Sequence, residues 1–287
     1  MNMMIEVQNL TKSYKDVEAV KGISFSVAEG ALFSFLGTNG AGKSTTINIL
    51  TTLLGKSGGS VQIGGFDLDT ESDRIRGLIG IVFQEGVLDK ELTVRENLMV
   101  RGSLYGLNGS KLREAVERVI RQTEIEGFAD RFYGQLSGGQ RRRSDIARAL
   151  VHMPKVLFLD EPTTGLDPKT RRDIWQLIQS LQKSSGMTIF LTTHYMEEAA
   201  DSDDIAIIHK GELLAQGTPA QLKENFGYDV LKLTLSDGEY MEHRLEKTVE
   251  ALPILDEFRE RIAHVEIISG TLDDVFLNLT GGISHVD

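Results

Sequence analysis

The chain carries Gly37-Thr38-Asn39-Gly40-Ala41-Gly42-Lys43-Ser44, a stretch that fits the pattern G-x-x-x-x-G-K-[ST]. The apolar segment Ala31–Leu36 precedes it, and helical spacing follows from Lys43 to about Leu54. Glycines let backbone N–H groups face an anion, and the dipole of the helix N-terminus favours negative charge there. Lys43 would then hold β- and γ-phosphates, Ser44 would ligate Mg²⁺ and Thr45 would hydrogen-bond a phosphate. The alternative interpretation is an ordinary glycine-rich turn between a strand and a helix.

A second motif, Val156-Leu157-Phe158-Leu159-Asp160-Glu161, is an apolar strand that ends in two carboxylates. A carboxylate at the C-terminal edge of a buried strand is where phosphate-loop enzymes hold Mg²⁺, and Asp160 fits that role. The next residue, Glu161, is placed to polarise an attacking water as a general base. Many buried strands end in acids, so the motif gains its meaning from the phosphate-binding loop upstream.

Strand and helix patterns alternate around these two motifs. Other apolar strands are predicted at Ile79–Phe83 and Met187–Thr192, and a helix at about Lys169–Gln182. Helical spacing also runs from about Thr93 to Leu150 and includes one apolar stripe: Leu112, Ala115, Val116, Val119 and Ile120. Fully apolar strands between helices indicate a parallel sheet covered on both faces. Half-buried strands with period two, at Ile5–Leu10 and Gly22–Val27, add an antiparallel part, so the fold class is mixed α/β.

The composition limits the possible functions. There are 31 Lys and Arg against 42 Asp and Glu, a net charge of −11, which disfavours a nucleic-acid partner. Residues 221–287 hold 6 basic and 14 acidic residues, so most of the net negative charge lies in the last quarter of the chain. No cysteine is present, which excludes thiolate metal sites and cysteine nucleophiles. No stretch approaches the ~20 apolar residues that cross a bilayer, so work at a membrane would need another chain.

A third motif, Leu136-Ser137-Gly138-Gly139-Gln140, precedes a helix that runs to about Leu150. A glycine-rich helix start after a serine is again an anion site, with the Ser137 hydroxyl as an extra donor. Taken alone, Ser137 is an ordinary helix N-cap. Two phosphate-binding helix starts in one chain would serve either two nucleotides or one nucleotide shared across a dimer.

These motifs, in this order, resemble the ATP-binding subunit of ABC transporters, in which LSGGQ is the signature sequence, over about residues 3–220. The resemblance implies an α/β P-loop NTPase fold: an ABC ATPase domain with a mixed sheet on a RecA-like core, an antiparallel β subdomain and an α-helical subdomain. It places the ATPase domain at residues 1–220, its helical subdomain at about residues 88–150, and a small α+β accessory domain at residues 221–287. In that last segment the residue pattern predicts two strands and two helices, at Asp229–Leu235, Ile262–Ile268, Arg244–Leu252 and Leu272–Leu279.

The resemblance implies that the cofactors are ATP and Mg²⁺. It also implies roles for further residues. Gln84 would touch Mg²⁺ together with Ser44 and Asp160, and His194 would contact the γ-phosphate. The residues implied in catalysis are Glu161, His194, Gln84 and Lys43. Those implied to bind ATP within one subunit are Tyr14, Gly37, Thr38, Asn39, Gly40, Ala41, Gly42, Lys43, Ser44 and Thr45. A second subunit would add Ser137, Gly138, Gly139, Gln140 and Asp167. On residue type alone, Tyr14 is a loop packing residue and His194 a structural one.

The family logic explains the two anion sites, because one subunit's phosphate loop and another's LSGGQ sequence enclose one ATP. A homodimer is the simplest assembly, and a heterodimer is the alternative. Two positions depart from the family pattern: Thr38 replaces a common proline, and Ser144 replaces an apolar residue of the signature helix. Arg141-Arg142-Arg143 is predicted to be a solvated helix face, since no aromatic residues are interleaved with it.

The last segment indicates the kind of ABC protein. Ser269–Gly281 resembles the ending of drug-resistance, antibiotic-export and sodium-export subunits, which pair with a separate ABC-2 type membrane permease. Its other interpretation is an amphipathic helix with Leu272, Val275, Phe276 and Leu279 in the core of the accessory domain. The resemblance implies an exporter of a drug, antibiotic, lipid or glycan, or ion, bound through the permease to the cytoplasmic face of the cell membrane. The surface at Glu85–Asn97 would receive the permease.

Two other functions stay open. An importer subunit shares all the catalytic motifs. A non-transport ABC ATPase in translation or DNA maintenance is the other, although such proteins carry two ATPase domains or a long coiled coil, and neither is present here.

Overall fold

The structure, a computed structural model, describes residues 2–281. The chain divides between Leu213 and Leu214 into two compact units. The strands are β1 (Met3–Tyr14), β2 (Val17–Ala28), β3 (Leu32–Leu36), β4 (Gly58–Ile63), β5 (Phe66–Asp67), β6 (Ile79–Val82), β7 (Val156–Asp160), β8 (Thr188–Thr193), β9 (Asp204–His209), β10 (Glu212–Gly217), β11 (Asp229–Leu235), β12 (Tyr240–Leu245) and β13 (Ile262–Ile268). The helices are α1 (Lys43–Leu50), α2 (Ser72–Leu78), α3 (Val94–Leu104), α4 (Gly109–Gln122), α5 (Gly138–Leu150), α6 (Pro168–Ser185), α7 (Met196–Ala199), α8 (Pro219–Phe226), α9 (Ala251–Glu257) and α10 (Leu272–Thr280).

A six-stranded sheet has the strand order β10-β9-β3-β8-β7-β6, and its strands β9, β3, β8, β7 and β6 belong to the first unit. These five strands run parallel to one another, so their carboxyl ends meet at one edge. Alternate residues of β7 belong to different cores: Leu157 and Leu159 pack on one face, and Val156 and Phe158 on the other. The sheet is therefore buried on both faces, as the continuous apolar runs predict.

One face of this sheet is covered by a four-stranded sheet of order β2-β1-β4-β5, whose neighbouring strands are antiparallel. Five phenylalanine rings fill the space between the two sheets, with centroids 5.2 to 6.1 Å apart in the contacting pairs: Phe25, Phe33, Phe35, Phe158 and Phe190. Aromatic rings bury large apolar areas, so this cluster fixes the sheet that positions the site.

The other face is covered by helices α3, α4, α5 and α6. The predicted apolar stripe of α4 is confirmed, since all five of its members are buried: Leu112, Ala115, Val116, Val119 and Ile120. The helical spacing between Thr93 and Leu150 is divided into three helices. Two of them begin at capping boxes, Thr93 with Glu96 and Ser137 with Gln140, which satisfy the free N–H groups of a new helix start.

His152 follows α5 and is held neutral by its surroundings. Its Nε2 donates to the carbonyl oxygen of Ile79 at 2.9 Å, and its ring stacks on Tyr105 with centroids 3.8 Å apart. Burial lowers the pKa of His152 to about 4, and the charges of Arg101 and Arg148 act in the same direction. Because this pKa lies below that of an unfolded histidine, stability is complete above about pH 6.5 and falls as the pH drops toward 4.

We therefore expect His152 to account for about 2 kcal/mol of the stability lost between pH 7.5 and pH 5.0. Urea unfolding at both pH values measures this loss for the wild type, for His152→Gln, and for the control His264→Gln, which changes an exposed histidine. His152→Gln should lose about 2 kcal/mol less than the other two. Equal losses in all three proteins would show that His152 is not the titrating group.

The second unit contains a three-stranded sheet of order β12-β11-β13. The predicted helix at Arg244–Leu252 is wrong at its start, because Arg244 and Leu245 belong to β12 and pair with Val230 and Asp229. The apolar face predicted for α10 is buried at Leu272, Val275 and Phe276, and Leu279 is half-buried. The side chain of Asn278 donates to the Phe226 carbonyl oxygen at 3.0 Å, which ties α10 to α8.

Within residues 2–281, none of the helices combines the length and the apolar character that crossing a bilayer requires.

Candidate active site

The site lies at the carboxyl edge of the parallel sheet, where three neighbouring strands end. The register places Thr193 of β8 beside Leu36 of β3, and Thr192 of β8 beside Asp160 of β7. The loop that begins at Gly37 is therefore close to the residues that follow β7 and β8. Ligand sites of open α/β sheets form at this edge.

The loop over residues 37–44 is shaped for close backbone approach. Gly40 has φ 79° and Gly42 φ 109°, both in the left-handed region that favours glycine. A Cβ at Gly42 would lie 2.7 Å from the Ala19 carbonyl oxygen, so a larger residue does not fit. Lys43 is only 4% exposed, and its Nζ curls back to donate to the carbonyl oxygens of Gly37 at 2.8 Å and Thr38 at 3.2 Å.

Glu161 has a strained backbone, with φ 44° in the left-handed region that side chains other than glycine seldom adopt. Its N–H donates to Thr192 Oγ1 at 3.0 Å, and its carboxylate accepts from Thr164 Oγ1 at 3.0 Å. The carboxylate also pairs with Lys43 Nζ at 3.2 Å and lies 3.4 Å from Nδ1 of His194. Burial raises the pKa of Glu161, but Lys43, Thr164 and His194 outweigh that effect and lower it. The group is therefore ionised at neutral pH.

Asp160 has the opposite electrostatic balance. Burial raises the pKa of its carboxyl group, and this effect outweighs the hydrogen bond from Thr192, which lowers the pKa. The adjacent Glu161 charge raises the pKa further. The Oδ1 atom of Asp160 accepts from Thr192 Oγ1 at 2.6 Å. A bound divalent cation would relieve this buried charge.

Oxygen donors suited to Mg²⁺ are present here: the Ser44 hydroxyl, the Asp160 carboxylate and the Gln84 amide. In residues 2–281 no three His, Cys, Asp or Glu side chains form a metal cluster. This donor set fits Mg²⁺, which takes few protein ligands and keeps waters and phosphate oxygens.

A cleft of about 580 Å³ joins most of the predicted residues. Its lining comprises Ala19, Asn39, Gly40, Gly42, Lys43, Ser44, Thr45, Gln84, Glu161, Thr164 and His194. Tyr14, at the end of β1, is absent from this lining. The residue is 46% exposed, and its ring centroid lies 5.2 Å from Lys12 Nζ.

The residues predicted to act from a second subunit lie together, outside this cleft. Ser137 caps α5 and Asp167 caps α6. A Cβ on Gly139 would lie 2.5 Å from Thr170 Cγ2, so the starts of the two helices are in close contact. Ser137 and Gly138 are exposed. The chain therefore presents its own signature residues to the outside rather than to its own cleft.

The prediction of a solvated Arg141-Arg142-Arg143 face is wrong. Arg142 is 7% exposed, and its guanidinium donates to the carbonyl oxygens of Phe83 at 2.6 Å and Gln84 at 2.8 Å. Arg141 donates to the Gly134 carbonyl oxygen, and Arg143 pairs with Glu124. The side chains thus serve structural hydrogen bonds, and Arg142 fixes the backbone at Gln84.

The departure at Ser144 is accommodated in the helix. Its side chain is fully buried, and its hydroxyl donates to the Gln140 carbonyl oxygen at 2.8 Å, so no polar group is left unsatisfied.

A family model described as ABC transporter matches residues 20–164, half of the chain. The chain belongs to the ABC transporter family. It is 37% identical to the daunorubicin/doxorubicin resistance ATP-binding protein DrrA of Streptomyces peucetius, over 96% of this chain and 92% of DrrA. It is also 37% identical to the Nod factor export ATP-binding protein I of Paraburkholderia xenovorans, over 96% and 97%.

Solved structures of ABC proteins share the fold. The cbiO1 subunit of Clostridium perfringens superposes with TM-score 0.73 and 31% identity, over 78% of this chain and 92% of that one. A dimeric ATP-binding cassette in a post-hydrolysis state, bound to ADP and phosphate, gives TM-score 0.68 and 32% identity, over 75% and 98%. The predicted family and fold class are confirmed. This ABC protein binds nucleotide and is an ATPase.

Sequence reasoning missed two residues that hold the site, Thr192 and Arg142. It also missed a buried glutamate nearby, Glu198, whose carboxylate accepts from the Thr163 and Thr193 hydroxyls. For Arg142 a signal existed, since it lies four and seven residues before the buried Ile146 and Ala149 of the same helix. Thr192 and Glu198 carry no comparable signal, because their partners are set by strand register and by a loop.

Proposed function

We propose that this ABC ATPase is the motor subunit of an exporter, in which MgATP hydrolysis at a dimer interface drives a separate ABC-2 type membrane permease. The role in ATP hydrolysis is supported by the placement of Glu161. Its carboxylate is ionised and lies between Lys43 of the phosphate loop and His194, and its backbone is strained. The exporter part is supported by relatives named for drug resistance and Nod factor export, which match nearly the whole chain.

The side chains divide the work as follows. The backbone of residues 38–45 and the Lys43 ammonium bind the phosphates, and Lys43 exchanges its present carbonyl acceptors for phosphate oxygens. Glu161 takes a proton from the attacking water, and His194 donates a hydrogen bond to the γ-phosphate. Ser44, Asp160 and Gln84 would hold Mg²⁺, which would supply positive charge to the phosphoryl oxygens. Tyr14 stacks on the adenine.

A second copy of this chain completes each site. Ser137–Gln140 and Asp167 are grouped on a surface apart from the cleft, so they are available to the ATP held by a partner. The assembly is therefore a homodimer with two ATP molecules. Hydrolysis removes the γ-phosphate contacts and lets the dimer open, which is the motion that the permease uses.

We assign residues 1–220 to the ATPase domain, with the helical subdomain at about residues 88–150, and residues 221–287 to an accessory domain. The division between Leu213 and Leu214 supports two units. The protein would act at the cytoplasmic face of the membrane, held there by the permease.

An apolar groove of about 710 Å³ follows Gln84 and is the proposed permease contact. Four of its apolar side chains are more than half exposed: Leu53, Val87, Val100 and Leu104. Within Glu85–Asn97, Leu88 and Leu92 line the groove. Leu88 also belongs to the buried core, as does Val94. A groove of exposed apolar residues fits an amphipathic helix.

If the groove contacts the permease, Leu104→Glu should weaken permease binding and leave the basal ATPase activity intact. The variant should keep the basal ATPase rate of the purified subunit within about twofold, because Leu104 is remote in sequence from the motifs and 72% exposed. It should lose at least about tenfold of its affinity for the permease, since a charge would be desolvated there. Leu277→Glu, at an exposed leucine of α10, is the control.

The exporter function is tested by searching the neighbouring reading frames for a chain with about six apolar spans of ~20 residues and by co-expressing such a chain with this one. Purified pairs in vesicles should show ATPase activity that the exported compound stimulates, and cells carrying the pair should resist or secrete that compound. Uptake in the opposite direction would support the importer alternative. An absence of any membrane partner would support a non-transport ATPase.

A further inference from the structure

Glu198 is a buried carboxylate that the mechanism above does not use. It lies in α7 and is 5% exposed, whereas its neighbour Glu197 is exposed. A buried carboxylate is costly unless its oxygens accept hydrogen bonds. Both oxygens of Glu198 are satisfied: Oε1 accepts from Thr163 Oγ1, and Oε2 accepts from Thr193 Oγ1 at 2.7 Å.

The two threonines belong to the segments that hold the proposed general base and the proposed γ-phosphate contact. Thr163 follows Glu161 by two residues, and Thr193 immediately precedes His194. Both are 1% exposed, so water does not compete for these bonds. The backbone N–H of Tyr195 also donates to Thr193 Oγ1 at 3.0 Å, which fixes the turn that carries His194.

The bridge that Glu198 makes between Thr163 and Thr193 joins the two segments that carry Glu161 and His194. The two residues follow neighbouring strands, β7 and β8, and their side chains lie 3.4 Å apart. The strained backbone of Glu161 needs surrounding bonds to persist. Thr192 holds its N–H from the strand side, and the Thr163–Glu198–Thr193 bridge holds the loop beyond it.

We propose that Glu198 is a positioning residue for ATP hydrolysis: it bridges Thr163 and Thr193 and so fixes the Glu161 carboxylate relative to His194. This rests on the proposed roles of Glu161 and His194. A displacement of about 1 Å in a catalytic group can cost about a hundredfold in rate, which is the scale of effect that such a bridge controls. Glu198 itself is outside the lining of the phosphate cleft, so we expect its loss to leave nucleotide binding unchanged.

The test compares Glu198→Ala, Glu198→Gln and the matched control Glu197→Ala by steady-state ATPase kinetics and by binding of a non-hydrolysable ATP analogue. Glu198→Ala deletes both bonds and should lower kcat about 10- to 100-fold, with analogue affinity and KM within about twofold of the wild type. Glu198→Gln can still bridge both hydroxyls, accepting from one and donating to the other, and should recover most of kcat. Glu197→Ala should behave as the wild type.

Two results would overturn the proposal: a kcat within twofold of the wild type in Glu198→Ala, or equal losses of kcat and analogue affinity, which indicate a general structural defect. If Glu198→Ala does not fold, Thr163→Val and Thr193→Val each delete one bond of the bridge and should each lower kcat severalfold without weakening analogue binding. Unchanged kcat in both valine variants would overturn the proposal as well.

A double variant separates this proposal from the proposed function. If Glu198 acts through Glu161, Glu198→Ala should cause no further loss in a Glu161→Gln background. Full activity of Glu161→Gln alone would refute the general base. An inactive Glu161→Gln beside a fully active Glu198→Ala would refute only the positioning role.

Discussion

Glu161→Gln should lower ATP turnover at least about a hundredfold while ATP binding is kept. The amide cannot take a proton from water, yet it is nearly the same size and can still accept from Thr164 Oγ1, as the carboxylate does at 3.0 Å. Loss of the Lys43–Glu161 ion pair frees the lysine for phosphate, so affinity for ATP should not fall. Phosphate release under steady-state conditions and equilibrium ATP binding measure the two effects.

The control for this variant is Thr164→Val, which removes the hydroxyl that bonds to the Glu161 carboxylate but leaves the base in place. It should reduce turnover by less than about tenfold. Undiminished hydrolysis by Glu161→Gln would exclude Glu161 as the general base and move that role to another group of the cleft, of which His194 is the nearest.

Ser137→Arg should reduce ATPase activity at least about a hundredfold while each subunit still binds ATP. Ser137 is exposed and lies outside the phosphate cleft, so a larger side chain there does not disturb the chain's own P-loop. In the proposed dimer the same position faces the partner's ATP, where an arginine has no room. The measurement pairs steady-state hydrolysis with binding of a fluorescent ATP analogue to the isolated subunit.

Ser137→Arg also removes the N-cap of α5, because the Ser137 hydroxyl accepts from the Gln140 N–H. Loss of such a cap costs about 1 kcal/mol. Ser137→Ala loses the same cap without adding bulk, so it should keep substantially more activity than Ser137→Arg. Full activity of Ser137→Arg would mean that the site is complete within one chain.

The site residues that directly follow a strand could be predicted from the sequence. Gly37–Ser44 and Asp160-Glu161 are set by the chain direction and by strand register, and a parallel sheet brings all such ends to one edge. The residue types at those ends already specify phosphate and Mg²⁺ chemistry. The buried stripe of α4 was equally predictable, because it depends only on helical periodicity.

The supporting bonds were not predictable. Arg142 was assigned to solvent from its charge, but it is buried because the carbonyl oxygens of Phe83 and Gln84, far away in sequence, accept from it. The same holds for Glu198, whose partners are Thr163, in the loop after β7, and Thr193, at the end of β8. A helix was predicted at Arg244 from local composition, and pairing with β11 overrides it. In each case the deciding contact is non-local.

The central claim is that one ATP is enclosed between the P-loop of one subunit and Ser137–Gln140 of another. The most direct measurement is the MgATP-dependent molar mass of Glu161→Gln compared with that of Glu161→Gln/Ser137→Arg. We predict that the single variant changes from monomer to dimer when MgATP is added, and that the double variant binds ATP but stays monomeric. A double variant that dimerises with MgATP as readily as the single variant would contradict the claim.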